Sequence, residues 1–414
     1  MSALERVVVV GASLAGLRAS ESLRSNGFEG TIILIGAEDH LPYDRPPLSK
    51  KVLTGDWEPE QIVLRKPESL AELDLEMLLG SPAASLERDR RVVTLAHGAE
   101  VGYDGLIIAT GAACRRLPGQ PTFPGIHELR TLDDSMALRA KLHEGVRVVV
   151  IGAGFIGLEV ASAARQRGCE VTVLEGAPAP LIRGLGAEMG RAVAQVHADH
   201  DVEIRCGVQV AAIEGSDDAV TGVRLGTGEV VAADVVVVGV GVAPATEWLA
   251  NSGLELRDGI VCDAALRAVG QRFIYAAGDC ARWPNQLFDE EMRVEHWTNA
   301  AEQGAIAAAN LLREANGEEP QPYSAVPFFW SDQYDRRVQF IGRACTPGKD
   351  ESTYDIRVVR GTPEEGKFVA LYGRHGRLRG VLGLSLPKYV MPFRALVARG
   401  ASWDEALEFA AGQK

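Results

Sequence analysis

VRVVVIGAGFIGLEVASAARQRGCEVTVLE, residues 146–175, opens on a β-branched run and turns through Gly152, Gly154 and Gly157. It continues as an alanine-rich helix and closes a second β-branched run on Glu175. Strand, glycine turn, helix and strand make a βαβ unit, and G-x-G-x-x-G at its first bend is the dinucleotide fingerprint. Each glycine has a task there. The first permits the tight turn, the second lets the backbone approach a pyrophosphate, and the third lets helix and strand pack closely. The free N–H groups and positive dipole end of the helix face the phosphates. An acid closing the second strand accepts from ribose hydroxyls and repels a 2′-phosphate, so Glu175 favours NADH over NADPH.

The same unit stands at the start of the chain with one letter changed. VVVVGASLAG, residues 7–16, carries Gly11 and Gly16 but has Ser13 where the middle glycine belongs. Serine costs a little space and adds a hydroxyl that can donate to phosphate. Leu14, Leu17 and Leu23 recur at helical spacing, Asn26-Gly27 reads as a C-terminal stop, and TIILIGAE reads as the next strand, ending at Glu38. A lone fingerprint is weak evidence. Two copies, each led by a β-branched run and closed by an acid roughly 20 residues past the turn, point to two dinucleotides held by one chain.

Bulk properties agree with an enzyme of this kind. The chain has 414 residues, 46% of them apolar, which suits two to three domains. A net charge of −13 argues against a nucleic-acid partner. The longest apolar run, VVAADVVVVGVGVAPA, is broken by Asp234 and is too short for a membrane span. Glu5 and Arg6 lead straight into a strand, unlike a cleavable signal, so a cytoplasmic protein is expected. The six cysteines, Cys114, Cys169, Cys206, Cys262, Cys280 and Cys345, form no C-x-x-C pair and offer no metal site.

Two further strings read as buried strands with a functional end: YDGLIIATGA, 103–112, ending in Thr110-Gly111, and RFIYAAGDCA, 272–281, which places Asp279 just past its strand. Asp279 suits a flavin contact or, equally, an Asx-turn or helix cap.

Taken with both fingerprints, LPYDRPPLSK (41–50), ATG, AAGDC, RVEHWTNA and PFFWSDQYD, the chain resembles the FAD-dependent NADH:ferredoxin reductases of bacterial oxygenase systems, of the putidaredoxin reductase and aromatic dioxygenase component type. The resemblance runs almost end to end. It implies an α/β, glutathione-reductase-like fold with two Rossmann-type dinucleotide-binding domains and a C-terminal α+β domain. The expected boundaries are 1–110 with 246–322 for FAD, 111–245 for NAD, and 323–414 for the C-terminal interface domain.

The resemblance also assigns residues. For FAD it implies Gly11, Ser13, Leu14, Ala15, Gly16, Glu38, Arg45, Lys50, Ala83, Ala109, Thr110, Gly111, Arg130, Gly278, Asp279, Glu295, His296, Trp297 and Trp330. Some relatives place aspartate directly after the glycine that ends the second strand; here Ala37 intervenes and Glu38 takes the ribose role. For NAD it implies Gly152, Gly154, Phe155, Ile156, Gly157, Glu159, Glu175, Arg183 and Gly241. Lys50 and Glu159 are the pair expected closest to hydride transfer, against the plainer reading of a loop lysine and a helix glutamate. Trp330 is expected on the acceptor side of the flavin, against the plainer reading of a core aromatic.

No cysteine precedes Cys114, so the disulfide relay of related architectures is not expected. The resemblance instead implies hydride transfer from NADH to flavin and then single electrons to a [2Fe–2S] ferredoxin serving a cytochrome P450 or ring-hydroxylating oxygenase. From Tyr323 onward fourteen Lys or Arg face ten Asp or Glu, about +4, leaving about −17 for the remainder. Arg336, Arg337, Arg343, Arg374, Arg377, Arg379 and Lys388 are candidates for a basic face that meets an acidic ferredoxin. A rubredoxin or other small-acceptor reductase shares the motifs, and an apoptosis-inducing-factor-like signalling protein is the alternative of another class. A monomer is expected.

Overall fold

The computed structural model describes residues 4–344 and 353–413. Cys345 lies outside them. The chain divides into two compact units, 1–44 with 62–113 and 243–327, and 45–61 with 114–242 and 328–414.

The first unit is built on a parallel sheet. Its strand order is Ile274–Ala276, Gly105–Ile108, Arg6–Val10, Thr31–Ile35 and Leu75–Leu78. A parallel sheet is covered on both faces, which is why Val7 to Val10 read as a continuous apolar run rather than an alternating one. All four are buried, each contributing about 2 kcal/mol. The helix Leu14–Ser25 follows the glycine turn, buries Leu14, Leu17 and Leu23, and ends at Asn26 with Gly27 in the left-handed region, as its spacing predicts. It crosses the 19-residue helix Trp297–Ala315 so closely that a Cβ at Gly304 would stand 2.2 Å from the Ala15 carbonyl oxygen.

The second unit repeats the plan. Its parallel sheet runs Glu203–Cys206, Glu170–Glu175, Arg147–Ile151, Val235–Val238 and Ile126–His127, with the helix Phe155–Gln166 after the turn. Valines 148–150 are buried like their counterparts in the first sheet. The unit also holds a five-stranded antiparallel sheet in the order Phe328–Gln333, Arg336–Gly342, Arg377–Leu384, Lys367–Arg374 and Tyr354–Thr362. Three short helices, Pro387–Val390, Phe393–Ala398 and Trp403–Gly412, complete this α+β portion. The α/β class and the terminal α+β portion are those expected.

Sequence order alone would leave residues 45–61 in the first unit. They pack with the second instead. Ser135 Oγ donates to the Leu48 carbonyl at 2.8 Å, Arg45 Nη1 donates to the Arg130 carbonyl at 2.6 Å, and Arg139 pairs with Glu58 at 2.7 Å. No helix among the described residues is long and apolar enough to cross a membrane.

Candidate functional site

In the first unit the glycine turn is shaped by close backbone contacts. Gly11 has φ 121°, and a Cβ there would lie 2.1 Å from the Ala109 carbonyl oxygen. A Cβ at Gly16 would lie 1.9 Å from the Gly11 carbonyl oxygen, so helix and strand meet at van der Waals limits. Ser13 is the N-cap residue between them, and Leu14 and Ala15 open the helix. Glu38 accepts from the Tyr43 hydroxyl at 2.5 Å.

Three loops of the same unit carry further expected contacts, whereas Arg45, Lys50, Arg130 and Trp330 belong to the second unit. Ala109 donates its N–H to Val10, and Thr110 Oγ1 donates to the Ala245 carbonyl at 2.8 Å while Gly111 accepts the Ala245 N–H. Gly278 opens the turn Gly278–Cys280 that carries Asp279, and its N–H donates to buried Gln303 at 2.9 Å. Arg293 donates both to the Asp279 carbonyl and to Glu295, at 3.0 and 2.7 Å. Trp297 donates its indole N–H to Asp44 at 2.6 Å, and desolvation pushes the neighbouring His296 imidazole down to about 4. Ala83 begins the strand Ala83–Glu87 and pairs with Leu95.

The second unit holds the cleaner turn. Gly152 has φ 109°, and a Cβ there would stand 2.3 Å from the Gly239 carbonyl oxygen; one at Gly157 would stand 2.1 Å from the Gly152 carbonyl oxygen. Gly154 differs. A Cβ there meets no protein atom within 4 Å, so packing does not demand glycine at this position. The space it leaves open at a helix N-terminus is the space a pyrophosphate needs. Packing therefore leaves room for a small side chain at the middle position, as Ser13 shows at the matching place in the first turn.

Glu175 sits at the end of its strand with both oxygens engaged. Oε2 accepts the Ala153 N–H and Oε1 the Ala177 N–H, each at 2.7 Å. Those bonds fix the carboxylate beside the turn. Phe155 packs edge-on against Phe329 at 4.7 Å, and exposed Ile156 follows it. Arg183 is exposed, with Nη1 3.8 Å from the place a Cβ on Gly241 would occupy.

Lys50 and Glu159 come together within this unit. Lys50 Nζ lies 2.8 Å from Glu159 Oε2 and also donates to the Pro46 carbonyl at 3.1 Å. Their side chains are 14% and 5% exposed. Ser49 Oγ donates to the same Glu159 oxygen and Ser331 Oγ to the other, both at 2.5 Å. Trp330, one residue before Ser331, is half-buried and stacks on Phe328 at 6.1 Å. The sequence reading missed Tyr43, Asp44, Ser49 and Ser331. Each is next to an expected residue or within a quoted string, and a short hydroxyl or carboxylate beside a functional charge was the available signal.

The thiols among the described residues are neither paired nor activated. Cys114, Cys169, Cys206, Cys262 and Cys280 are free, and burial pushes every one of these thiols up, away from the reactive thiolate.

A family model for pyridine nucleotide-disulphide oxidoreductases matches residues 5–304. The chain belongs to that family. A reductase C-terminal model matches residues 328–410. Among relatives of this family, rhodocoxin reductase of Rhodococcus erythropolis is 38% identical over 393 residues, 95% of this chain and 89% of that protein. The ferredoxin–NAD(+) reductase component of the anthranilate 1,2-dioxygenase system of Burkholderia cepacia is 38% identical over 400 residues, 96% of this chain and 95% of that protein. The reductase in the crystal structure of a covalent putidaredoxin reductase–putidaredoxin complex superposes with a TM-score of 0.89 at 33% identity, covering 99% of each chain.

Proposed function

We propose that this chain is an FAD-dependent NADH:ferredoxin reductase that supplies electrons to a cytochrome P450 or ring-hydroxylating oxygenase. One observation carries the reading: two nucleotide turns share a chain that has no cysteine before Cys114, so electrons must leave for a separate acceptor. Bound there, FAD would supply the two-electron to one-electron conversion between nicotinamide and ferredoxin.

The residues divide the work. Gly11, Ser13, Leu14, Ala15 and Gly16 present the first helix N-terminus to the FAD pyrophosphate, and Glu38 takes its ribose. Thr110-Gly111, Gly278-Asp279 and Glu295-His296-Trp297 border the same dinucleotide, with Ala83, Ala109, Arg45 and Arg130. Gly152, Gly154, Phe155, Ile156 and Gly157 receive NADH, Glu175 accepts from its ribose, and Arg183 and Gly241 close that side. Lys50 supplies positive charge where negative charge collects on the flavin ring, and Glu159 holds the lysine in place. Trp330 lies toward the acceptor.

The partner is an acidic [2Fe–2S] ferredoxin drawn to the basic C-terminal portion. Two of its cations are already matched, Arg337 with Asp332 at 2.6 Å and Arg336 with Asp335 at 3.5 Å. Arg343, Arg374, Arg377, Arg379 and Lys388 belong to the same basic portion. We place the protein in the cytoplasm, where NADH is supplied, as a monomer.

NADH-driven cytochrome c reduction with and without a panel of [2Fe–2S] ferredoxins, a rubredoxin included, tests the reading. Stimulation by ferredoxin is expected. A preparation that takes up no flavin, or one stimulated by rubredoxin alone, overturns it.

A further inference from the structure

Lys50 does not hold Glu159 alone. Behind Ser331, Gln333 Nε2 donates to the Ser331 hydroxyl at 3.1 Å, and Gln333 Oε1 lies 2.9 Å from His197 Nε2. His197 Nδ1 lies 3.4 Å from the Tyr334 hydroxyl. His197, Gln333, Ser331 and Glu159 are all buried.

Donor and acceptor roles in this row follow from chemistry. A carboxylate only accepts, so Ser331 gives its hydrogen to Glu159 and receives one from the Gln333 amide nitrogen. The amide oxygen then faces His197, which fixes the hydrogen on Nε2 and leaves Nδ1 to accept from Tyr334. Burial pushes the His197 imidazole down to about 4, so the ring carries one hydrogen at neutral pH. Every donor in the row points toward Glu159.

The far end is held under strain. Tyr334 has φ 52°, a left-handed conformation unfavourable for a bulky residue. Its N–H donates to Ser162 Oγ at 2.8 Å, and its ring stacks on His200 at 3.8 Å and 6°. Such strain persists where the surroundings over-determine it. The turn thus anchors the strand Phe328–Gln333, which carries both Ser331 and Gln333, against the helices Phe155–Gln166 and Ala187–Ala198.

We propose that His197 and Gln333 are positioning residues that act through Ser331 to aim the Glu159 carboxylate at Lys50. The inference rests on the reading of Lys50 and Glu159 as the pair that serves hydride transfer. A neutral amide and a neutral imidazole suit the task because they transmit orientation without placing a second charge beside Glu159.

The test reads Lys50 itself. Apoprotein and FAD-loaded protein are acylated with an N-hydroxysuccinimide ester, and the ratio of Lys50 to Lys51 labelling is measured by peptide mass spectrometry. Exposed Lys51, 4.5 Å over the Trp57 ring, is the internal reference that a general loosening would move as well. In His197→Leu and Gln333→Leu the ratio should rise about fivefold, the factor that corresponds to losing one ordinary hydrogen bond. His197→Gln, whose Nε2–H reaches the place of the ring Nε2–H, should restore it, whereas the shorter His197→Asn should not. The kcat of the loaded enzyme should fall in the unrescued variants with KM for NADH little changed.

A ratio unmoved by the leucine variants, or equal in His197→Gln and His197→Asn, overturns the proposal. Should a leucine variant fail to fold, the glutamine and asparagine pair decides. Wild-type protein whose flavin NADH does not bleach overturns the functional reading whatever the ratio does. An unmoved ratio in protein that NADH does bleach overturns the positioning alone.

Discussion

Lys50 Nζ stands 2.8 Å from Glu159 Oε2, with the glutamate buried and the lysine largely covered. A buried ion pair is a poor device for stability, because desolvating two charges offsets most of their attraction. A pair kept under those terms points to work done elsewhere. Lys50→Met should slow flavin reduction by NADH roughly 100- to 1,000-fold, the range seen when one charge-stabilising donor is removed. Stopped-flow absorbance checks this. An unchanged rate at normal FAD content would remove Lys50 from the chemistry.

Glu175 presents its carboxylate beside the second nucleotide turn, with one backbone N–H on each oxygen. Each oxygen keeps lone pairs for ribose hydroxyls, while the negative charge repels a 2′-phosphate. Glu175→Gln keeps the shape and removes the charge. The ratio of kcat/KM for NADH to that for NADPH should exceed one in the wild type and fall about tenfold in the variant, the effect of about 1.4 kcal/mol. A wild type that prefers NADPH would defeat the assignment.

Both parallel sheets were legible because their strands are buried on two faces and read as unbroken β-branched runs, Val7–Val10 and Val148–Ile151. The turns were legible because glycine is required where a Cβ would strike a carbonyl oxygen, as at Gly11 and Gly152. Long-range polar contacts left no such trace. Ser331 lies 172 residues from Glu159 and Gln333 136 residues from His197, so no local period or spacing announces either contact. The grouping of residues 45–61 with the second unit was hidden for the same reason, since it depends on Ser135 and Arg139 far along the chain. The carry-over from relatives reached Lys50 and Glu159 but not the hydroxyls that hold them.

Charge in the C-terminal portion makes a separate prediction. Arg336 and Arg337 already face Asp335 and Asp332, so their removal should matter less than removal of exposed Lys388. Exposed charges act through a screening length of about 8 Å at physiological salt. Rising salt should therefore depress ferredoxin turnover more than ferricyanide reduction, and Lys388→Ala should flatten that difference. Equal salt effects on the two acceptors would count against electrostatic steering.

His197 makes acid stability a local readout. Its imidazole takes a proton near 6.5 in the unfolded chain and near 4 in the folded protein, where burial disfavours the cation and His200 adds to the effect. Between those values the unfolded state binds more protons, so stability present above pH 6.5 is lost as pH falls toward 4. The loss amounts to about 3 kcal/mol at most. His296 follows the same course. His197→Gln should remove its own contribution, so urea midpoints at pH 7 and pH 5 should lie closer together than in the wild type. A gap of wild-type size would show that this ring does not couple to folding.

The two nucleotide turns can be tested against each other through their glycines. Gly152→Ala forces a side chain into the left-handed region and drives its Cβ to 2.3 Å from the Gly239 carbonyl oxygen. That backbone atom has nowhere to go, and the variant should lose about 3 kcal/mol or fail to fold. Gly154→Ala meets no protein atom within 4 Å, at φ −78° that alanine adopts freely. Its melting temperature should match the wild type. If the open space beside Gly154 belongs to a pyrophosphate, NADH should still bind Gly154→Ala more weakly, by about tenfold for a methyl group of misfit. Ser13→Gly probes the other turn, where a small side chain is already accommodated, and should leave FAD content intact. Undiminished NADH affinity in Gly154→Ala would mean that the nucleotide does not lie against this turn.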